Sequence, residues 1–352
     1  MQKQNQNTDR RSFMKIGAAA GVATLGAGLL GSPASAVAST IGGKAEDIAP
    51  TAGDIAILQF LAAAELVEQD LWTQYADLAA NNPQYREVLS NIDPDGPTYA
   101  AQTASDEGSH ANFINAYLKS KGAAPVNLDT FRTIASPSVT GASSKGNLTN
   151  LTKLTVDTSW YNRYRSTTNI DLGATFPQLV DLNRIPTVPT SNSMSDAEAQ
   201  AIANSAFFHF CAIEQGGSSL YSSLMTQVTS LEVLEILASI GPTEFYHFAI
   251  FQKSLEGLPP VEYGNLTFPD LKGDSTYKAN QVMPLHCQFM STGFPQCSIV
   301  RPRALANGGP LAAATGLVKS GLFTGQSTAF LNAVVALATA ANNAERTVSF
   351  SF

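Results

Sequence analysis

Four segments with the apolar period of a helix each carry a glutamate inside the stripe that faces a core, and two of those glutamates are followed three residues later by a histidine. From Asp54 to about Asn81 the stripe is Leu58, Leu61, Glu65, Glu68, Trp72 and Tyr75, at steps of three and four residues. From about Thr98 to Lys121 it is Ala100, Thr103, Glu107, His110, Ile114, Tyr117 and Leu118. Phe207, Phe210, Cys211, Glu214, Ser218 and Tyr221 mark a third helix, entered through the capping pattern Ser195-Asp196-Ala197-Glu198. Leu237, Ile240, Glu244, His247, Phe248 and Phe251 mark a fourth, from about Ser230 to Glu256. Side chains at i and i+3 leave a helix on one face, so each Glu-x-x-His offers an oxygen and a nitrogen ligand to one point. Independent placement of the 13 Glu and 4 His in 352 residues gives about 0.15 such pairs, against the two present. Two of these pairs with two further glutamates can hold a pair of divalent ions in a four-helix bundle. The alternative, Glu–His contacts without a metal, costs several kcal/mol for each buried charge left unpaired.

Composition narrows the remaining classes. The chain is acidic, with a formal charge of −7, and has no long Lys/Arg run, which argues against a nucleic-acid partner. Charged residues are 14% of the whole, so a carboxylate on an apolar stripe stands out. Three cysteines and four histidines exclude a Cys/His zinc framework. No phosphate-cradling glycine loop and no nucleophile elbow occur.

Residues 1–36 have the form of an export signal: Arg10-Arg11-Ser12-Phe13-Met14-Lys15, a Gly/Ala/Leu stretch from Ile16 to Leu30, and Ala34-Ser35-Ala36 as a cleavage site. The paired arginines resemble a twin-arginine signal, a route that carries folded proteins, and place the mature chain in the periplasm or outside the cell. Removal of the segment leaves 17 basic and 27 acidic residues, a charge of about −10. No other run is long enough to span a bilayer, so the chain is expected not to be transmembrane.

Between the second and third helices, about residues 122–194, the composition shifts to Thr, Ser, Asn, Pro and Gly with short β-prone pieces such as Leu154-Thr155-Val156, the mark of a crossover insert. Gly241-Pro242 predicts a kink or π-type widening one turn before Glu244. A C-terminal extension, 257–352, holds Cys287 and Cys297, either a disulfide or two free thiols, and two Ala-rich helices, about Pro310–Ser320 and Gln326–Ala341. Their stripes suit packing on the bundle or on another copy in a homo-oligomer. His209 falls on the wrong face for the same metal as Glu214 and reads as a packed histidine, and Cys211 as a small buried hydrophobe. Tyr75, Tyr117, Tyr221 and Tyr246 read as core tyrosines with satisfied hydroxyls, or as hydrogen-bond partners of ligands.

The order Glu, Glu-x-x-His, long connection, Glu, Glu-x-x-His resembles the ferritin-like superfamily, over residues 50–256. Ile57-Leu58-Gln59-Phe60 with Glu65-Leu66-Val67-Glu68, Asp106-Glu107-Gly108-Ser109-His110, Glu214-Gln215-Gly216 with Tyr221, and Glu244-Phe245-Tyr246-His247 are similar to its secreted branch, which includes plant desiccation-related and fungal stress-response proteins. The resemblance implies an all-α fold, a four-helix bundle with the crossover between helices two and three, and two Fe or two Mn ions, or one of each. Its ligands would be Glu65, Glu107, His110, Glu214, Glu244 and His247, with Glu107 and Glu244 or their partners bridging and Glu68 an alternative to Glu65. Redox chemistry with O₂ or peroxide follows, as ferroxidase, catalase-like enzyme or oxidase. The competing expectations are a stress-protective or envelope structural protein with a vestigial or structural metal site, and an adhesion module built on the insert and tail.

Overall fold

The computed structural model describes residues 49–167, 176–273, 276–278, 281, 283–288, 292–299 and 308–347. Residues 1–36, expected from the sequence to be an export signal, lie outside them. Among the described residues the chain is mainly helical, with eight α-helices and two small antiparallel strand pairs. Four long helices form the bundle: α1 (Ala52–Asn81), α3 (Gly96–Ser120), α5 (Asp196–Leu224) and α6 (Leu231–Ser254), with the short α2 (Pro83–Ile92) between the first two. The main packing pairs are α1 with α3 and α5 with α6. The fold is the all-α bundle that the four stripes imply, and the boundaries differ from the sequence expectation by one or two residues at most ends.

Caps and buried carboxylates fix where these helices begin and what they hold. Thr51 closes a capping box with Asp54 at the start of α1. Asp54 also accepts from the backbone N–H of Thr229 (2.7 Å) and Ser230 (3.2 Å), which ties the α5–α6 turn to that end. At the start of α5, Ser195 Oγ accepts from the Glu198 N–H. The core below is aromatic: Trp72 stacks on Phe251 with centroids 5.1 Å apart, and Phe210 packs on Trp72 and Tyr75. Each such ring buries about 150–250 Å².

α6 is helical without interruption through Pro242, so of the kink or π-type widening expected there the widening is absent. The carbonyl that Pro242 deprives of a partner belongs to Ala238, on the solvent side, where water can serve it. Gly241 has the tighter constraint, since a Cβ there would stand 2.8 Å from Tyr221 Cβ. The missing side chain lets α5 and α6 approach closely at the level of Tyr221.

The connection from α3 to α5 contains β1 (Leu154–Val156), the single-turn α4 (Trp160–Arg163) and β2 (Leu182–Ile185), which pairs antiparallel with β1. Buried Asp70 of α1 anchors it. Its carboxylate accepts from the N–H groups of Leu148 (3.0 Å) and Thr149 (2.9 Å), from Thr149 Oγ1 (2.7 Å) and from Arg132 Nη1 (2.5 Å). After α6 come the hairpin β3 (Val261–Tyr263) and β4 (Leu266–Phe268), then α7 (Pro310–Ser320) and α8 (Thr328–Asn342). α8 packs on α1 and α7, with Phe330, Val334, Ala338 and Ala341 on its buried side. Cys287 and Cys297 face each other across an isolated antiparallel bridge, Cys287 N–H to Cys297 O at 3.0 Å, and both thiols are free.

Candidate metal centre

Each bundle helix delivers its stripe carboxylate to one level of the core. Glu65, Glu107, Glu214 and Glu244 are at most 1% exposed, and His110 and His247 are 9% and 5% exposed. Two groups form, each with ligand atoms within 4.8 Å of one another: Glu65, Glu107, His110 and Glu244, and Glu107, Glu214 and His247. All six residues singled out in the sequence are in them, and Glu107 is in both. Glu68 is not; it is half-buried and shares electrostatic contact with Glu65, Glu214 and Glu244 from beside the cluster.

The histidines reach across the bundle. His110 Nδ1, on α3, lies 3.0 Å from Glu107 Oε2, 3.2 Å from Glu65 Oε2 of α1 and 3.4 Å from Glu244 Oε1 of α6. His247 Nδ1, on α6, lies 3.1 Å from Glu214 Oε2 of α5 and 3.2 Å from Glu107 Oε1 of α3. Thus Glu107 and His110 stay together in one group, whereas Glu244 and His247 are divided between the two. The i+3 spacing aims both side chains inward, but cross-helix packing decides which carboxylate each ring meets.

Electrostatics makes this cluster costly as it stands. Burial pushes the carboxyls of Glu107, Glu214 and Glu244 above the usual carboxylate range, and their mutual repulsion adds to it. For the histidines burial acts the other way, but the hydrogen bonds and close negative charge of the carboxylates outweigh it. His110 is raised by Glu107, Glu244 and Glu65, and His247 is pushed up to about 12 by Glu107 and Glu214. Even so, Glu107 Oε1, Glu214 Oε1 and both oxygens of Glu244 are buried without a hydrogen-bond partner. The 3.2 and 3.4 Å approaches to Glu107 Oε1 and Glu244 Oε1 bring opposite charge near but are not aligned as hydrogen bonds. Four buried carboxylate oxygens without partners, on residues whose ligand atoms group within 4.8 Å of one another, are what a cation would satisfy. Four carboxylates and two neutral imidazoles carry a formal −4, which two divalent ions neutralise, and this donor set suits iron or manganese. The residues fit a metal site.

Three neighbours complete this arrangement, and two of them, Asp106 and Gly217, had no role assigned from the sequence. Asp106 Oδ2 lies 3.0 Å from His247 Nε2, so that nitrogen keeps its proton and Nδ1, on the side of the glutamates, is the nitrogen an ion would take in place of a proton, the carboxylate–histidine arrangement of metal sites. Its sequence signal was adjacency to Glu107, invisible without knowing that α3 faces α6. Tyr221 Oη donates to Glu65 Oε1, so this tyrosine takes the ligand-bonding option of the two left open for it. Tyr117 instead donates to Glu232 at 2.6 Å, and Tyr246 is exposed. The third neighbour is Gly217, where a Cβ would come 2.5 Å from Glu244 Oε2. A glycine in a helix interior costs about 1 kcal/mol relative to alanine, and here it makes room for the carboxylate. Cys211 is fully buried, as its stripe position implies. His209 is buried away from the cluster, its Nδ1 2.8 Å from Tyr75 Oη.

Comparison with known proteins agrees with this geometry. A model of the ferritin-like domain matches residues 53–257, from the first turn of α1 to the end of the 3₁₀ turn after α6. No curated protein and no solved structure gives a match. With more than half of the sequence and all six clustered residues inside the matched span, the chain belongs to the ferritin-like domain family.

Proposed function

We propose that the protein is exported and binds two iron or two manganese ions, or one of each, between its four helices, and that this pair carries out redox chemistry with O₂ or a peroxide. The observation that supports the reading is the pair of Glu/His groups sharing Glu107, with four buried carboxylate oxygens left without partners. Glu65, Glu107, His110 and Glu244 would hold one ion, and Glu107, Glu214 and His247 the other. Bound there, such ions supply one-electron steps that carboxylates and imidazoles lack.

The chain's own residues set the conditions. Asp106 holds the proton on His247 Nε2 and so fixes which nitrogen is presented. Tyr221 restrains Glu65 through its hydroxyl hydrogen bond. Trp72, Phe210 and Phe251 close the core nearby and keep water out, which strengthens electrostatic interactions inside. Export rests on the Arg10-Arg11 segment and the alanine-rich stretch after it. No helix among the described residues is long and apolar enough to cross a membrane.

Anaerobic reconstitution with Fe²⁺ or Mn²⁺, followed by elemental analysis, tests the reading. About two equivalents per chain are expected, and below about 0.3 the metal reading fails. Glu107→Ala with His247→Ala should abolish uptake of both ions, because Glu107 belongs to both groups. Optical spectra recorded under O₂ and H₂O₂ then separate ferroxidase, catalase-like and oxidase behaviour.

A further inference from the structure

Beside the cluster, α1, β1, α5 and α7 enclose a cavity of about 290 Å³. Phe60, Val67, Ile213, Leu220, Leu317 and Phe323 give it a mainly apolar wall. A cavity of about 150 Å³ holds a benzene ring, so this one has room for roughly one or two rings. α5 contributes Gly216 and Gly217 to the lining. Because a Cβ on Gly217 would touch Glu244 Oε2, the partition between cavity and cluster is there only one glycine thick. A Cβ on Gly216 would meet nothing within 4 Å, which leaves that side open.

The polar part of the wall includes Glu68 and His209. A chain of hydrogen bonds fixes the tautomer of His209. Thr187 Oγ1 donates to the Leu151 carbonyl (3.2 Å), so it accepts from Tyr75 Oη (2.6 Å), and the Tyr75 oxygen in turn accepts from His209 Nδ1–H (2.8 Å). Burial holds the ring neutral, with its pKa pushed down to about 3. Nε2 is therefore left as an acceptor. An apolar space beside the His209 Nε2 acceptor and the Glu68 carboxyl selects for a molecule that is mostly hydrocarbon and carries one hydroxyl.

We propose that this cavity is a binding site for an apolar aromatic alcohol of one or two rings, a phenol or naphthol, with its rings against α1, α5 and α7 and its hydroxyl toward His209 and Glu68. That the neighbouring cluster would act on such a molecule rests on the metal reading above; the binding itself does not.

The test is titration of the full chain, metal-free and Mn²⁺-loaded, with 2-naphthol and with naphthalene, followed by calorimetry or ligand fluorescence. Saturable one-to-one binding of 2-naphthol is expected, about tenfold tighter than naphthalene for one added hydrogen bond. Gly216→Leu fills the open side of the cavity and should weaken both probes at least about tenfold. Ala313→Leu on α7 fills it from the opposite wall and should do the same, which keeps the test valid if one variant fails to fold. His209→Phe should abolish the preference for the hydroxyl while naphthalene still binds. No saturation up to about 1 mM, unchanged binding in both filled variants, or equal affinity for the two probes overturns the proposal. Failure of the metal reading has a different signature: no uptake of Mn²⁺, with 2-naphthol still bound.

Discussion

Gly217→Ala separates helix propensity from site geometry within a single residue. In an ordinary helix interior the change stabilises by about 1 kcal/mol, the propensity difference between the two residues. At 217 the new methyl would stand 2.5 Å from Glu244 Oε2, nearly 1 Å inside the 3.4 Å where ordinary contact begins. Glu244 has little room to yield, since it is fully buried and Oε1 already lies 3.4 Å from His110 Nδ1. The carboxylate must then shift by an amount near 1 Å, and a ligand displaced that far typically costs about 10–100-fold in metal affinity, or roughly 1.4–2.7 kcal/mol. Gly216→Ala is the internal control, because its Cβ meets nothing. That variant should gain the full propensity term, about 1 kcal/mol, and bind Mn²⁺ as the unaltered chain does. The assays are denaturant unfolding of the metal-free proteins and Mn²⁺ titration of each. If Gly217→Ala gained the same stability as Gly216→Ala and bound Mn²⁺ with unchanged affinity, Glu244 would not occupy the position on which the metal site depends.

Asp106→Asn keeps the size of the side chain but removes the charge that orients His247, and should lower Mn²⁺ affinity about 10-fold or more while leaving unfolding free energy nearly unchanged. Mn²⁺ binding near pH 7 should release at least about two protons per chain, one from each of His110 and His247, whose ring nitrogens are both protonated among the carboxylates, and further protons from the raised glutamates, because ligating imidazoles and carboxyls must shed theirs; calorimetry in buffers of different ionisation enthalpy counts them. In the metal-free protein His247 is raised from 6.5 to about 12, so its contribution is complete below pH 6.5 and is lost as pH rises toward 12. The raised carboxyls of Glu107, Glu214 and Glu244 act in the same direction above pH 4.5, so denaturant stability should fall from pH 5 to pH 9 and bound metal should reverse that slope. Asp70→Ala removes the acceptor for four donors from the crossover and should cost about 3 kcal/mol or more, measured by thermal unfolding, with proteolysis first appearing in residues 121–153.

What was legible in the sequence is what a single helix determines. The i+3 step from Glu107 to His110 and from Glu244 to His247 is a property of one α-helix, so the inward pairs could be read before any packing was known. The stripes around Glu65 and Glu214 could be read for the same reason, because a carboxylate between Leu61 and Trp72 or between Phe210 and Tyr221 must share their burial. Other features depend on two helices at once. Asp106 sits one residue before Glu107, and only the approach of α6 brings His247 Nε2 to it. Gly217 looks like a weak point in α5 until Glu244 is seen filling the space its side chain would take.

The same reasoning applies to Pro242, where the π-type widening is absent. Its missing N–H is a local fact, but the outcome depended on whether the abandoned carbonyl of Ala238 faced core or solvent, and it faces solvent. Glu65 and Glu68 differ in a similar way. Both lie on the α1 stripe one turn apart, and periodicity alone ranks them equally. Tyr221 donates to Glu65 from α5, which is held close to α6 by Gly241, while Glu68 borders the cavity on the far side of Gly217. A contact to one carboxylate and open space beside the other assign the first to the cluster and the second to whatever enters from the cavity. Glu68→Gln should therefore leave Mn²⁺ stoichiometry intact, whereas Glu65→Gln should lose one of two equivalents, a difference that metal analysis of the two variants resolves directly.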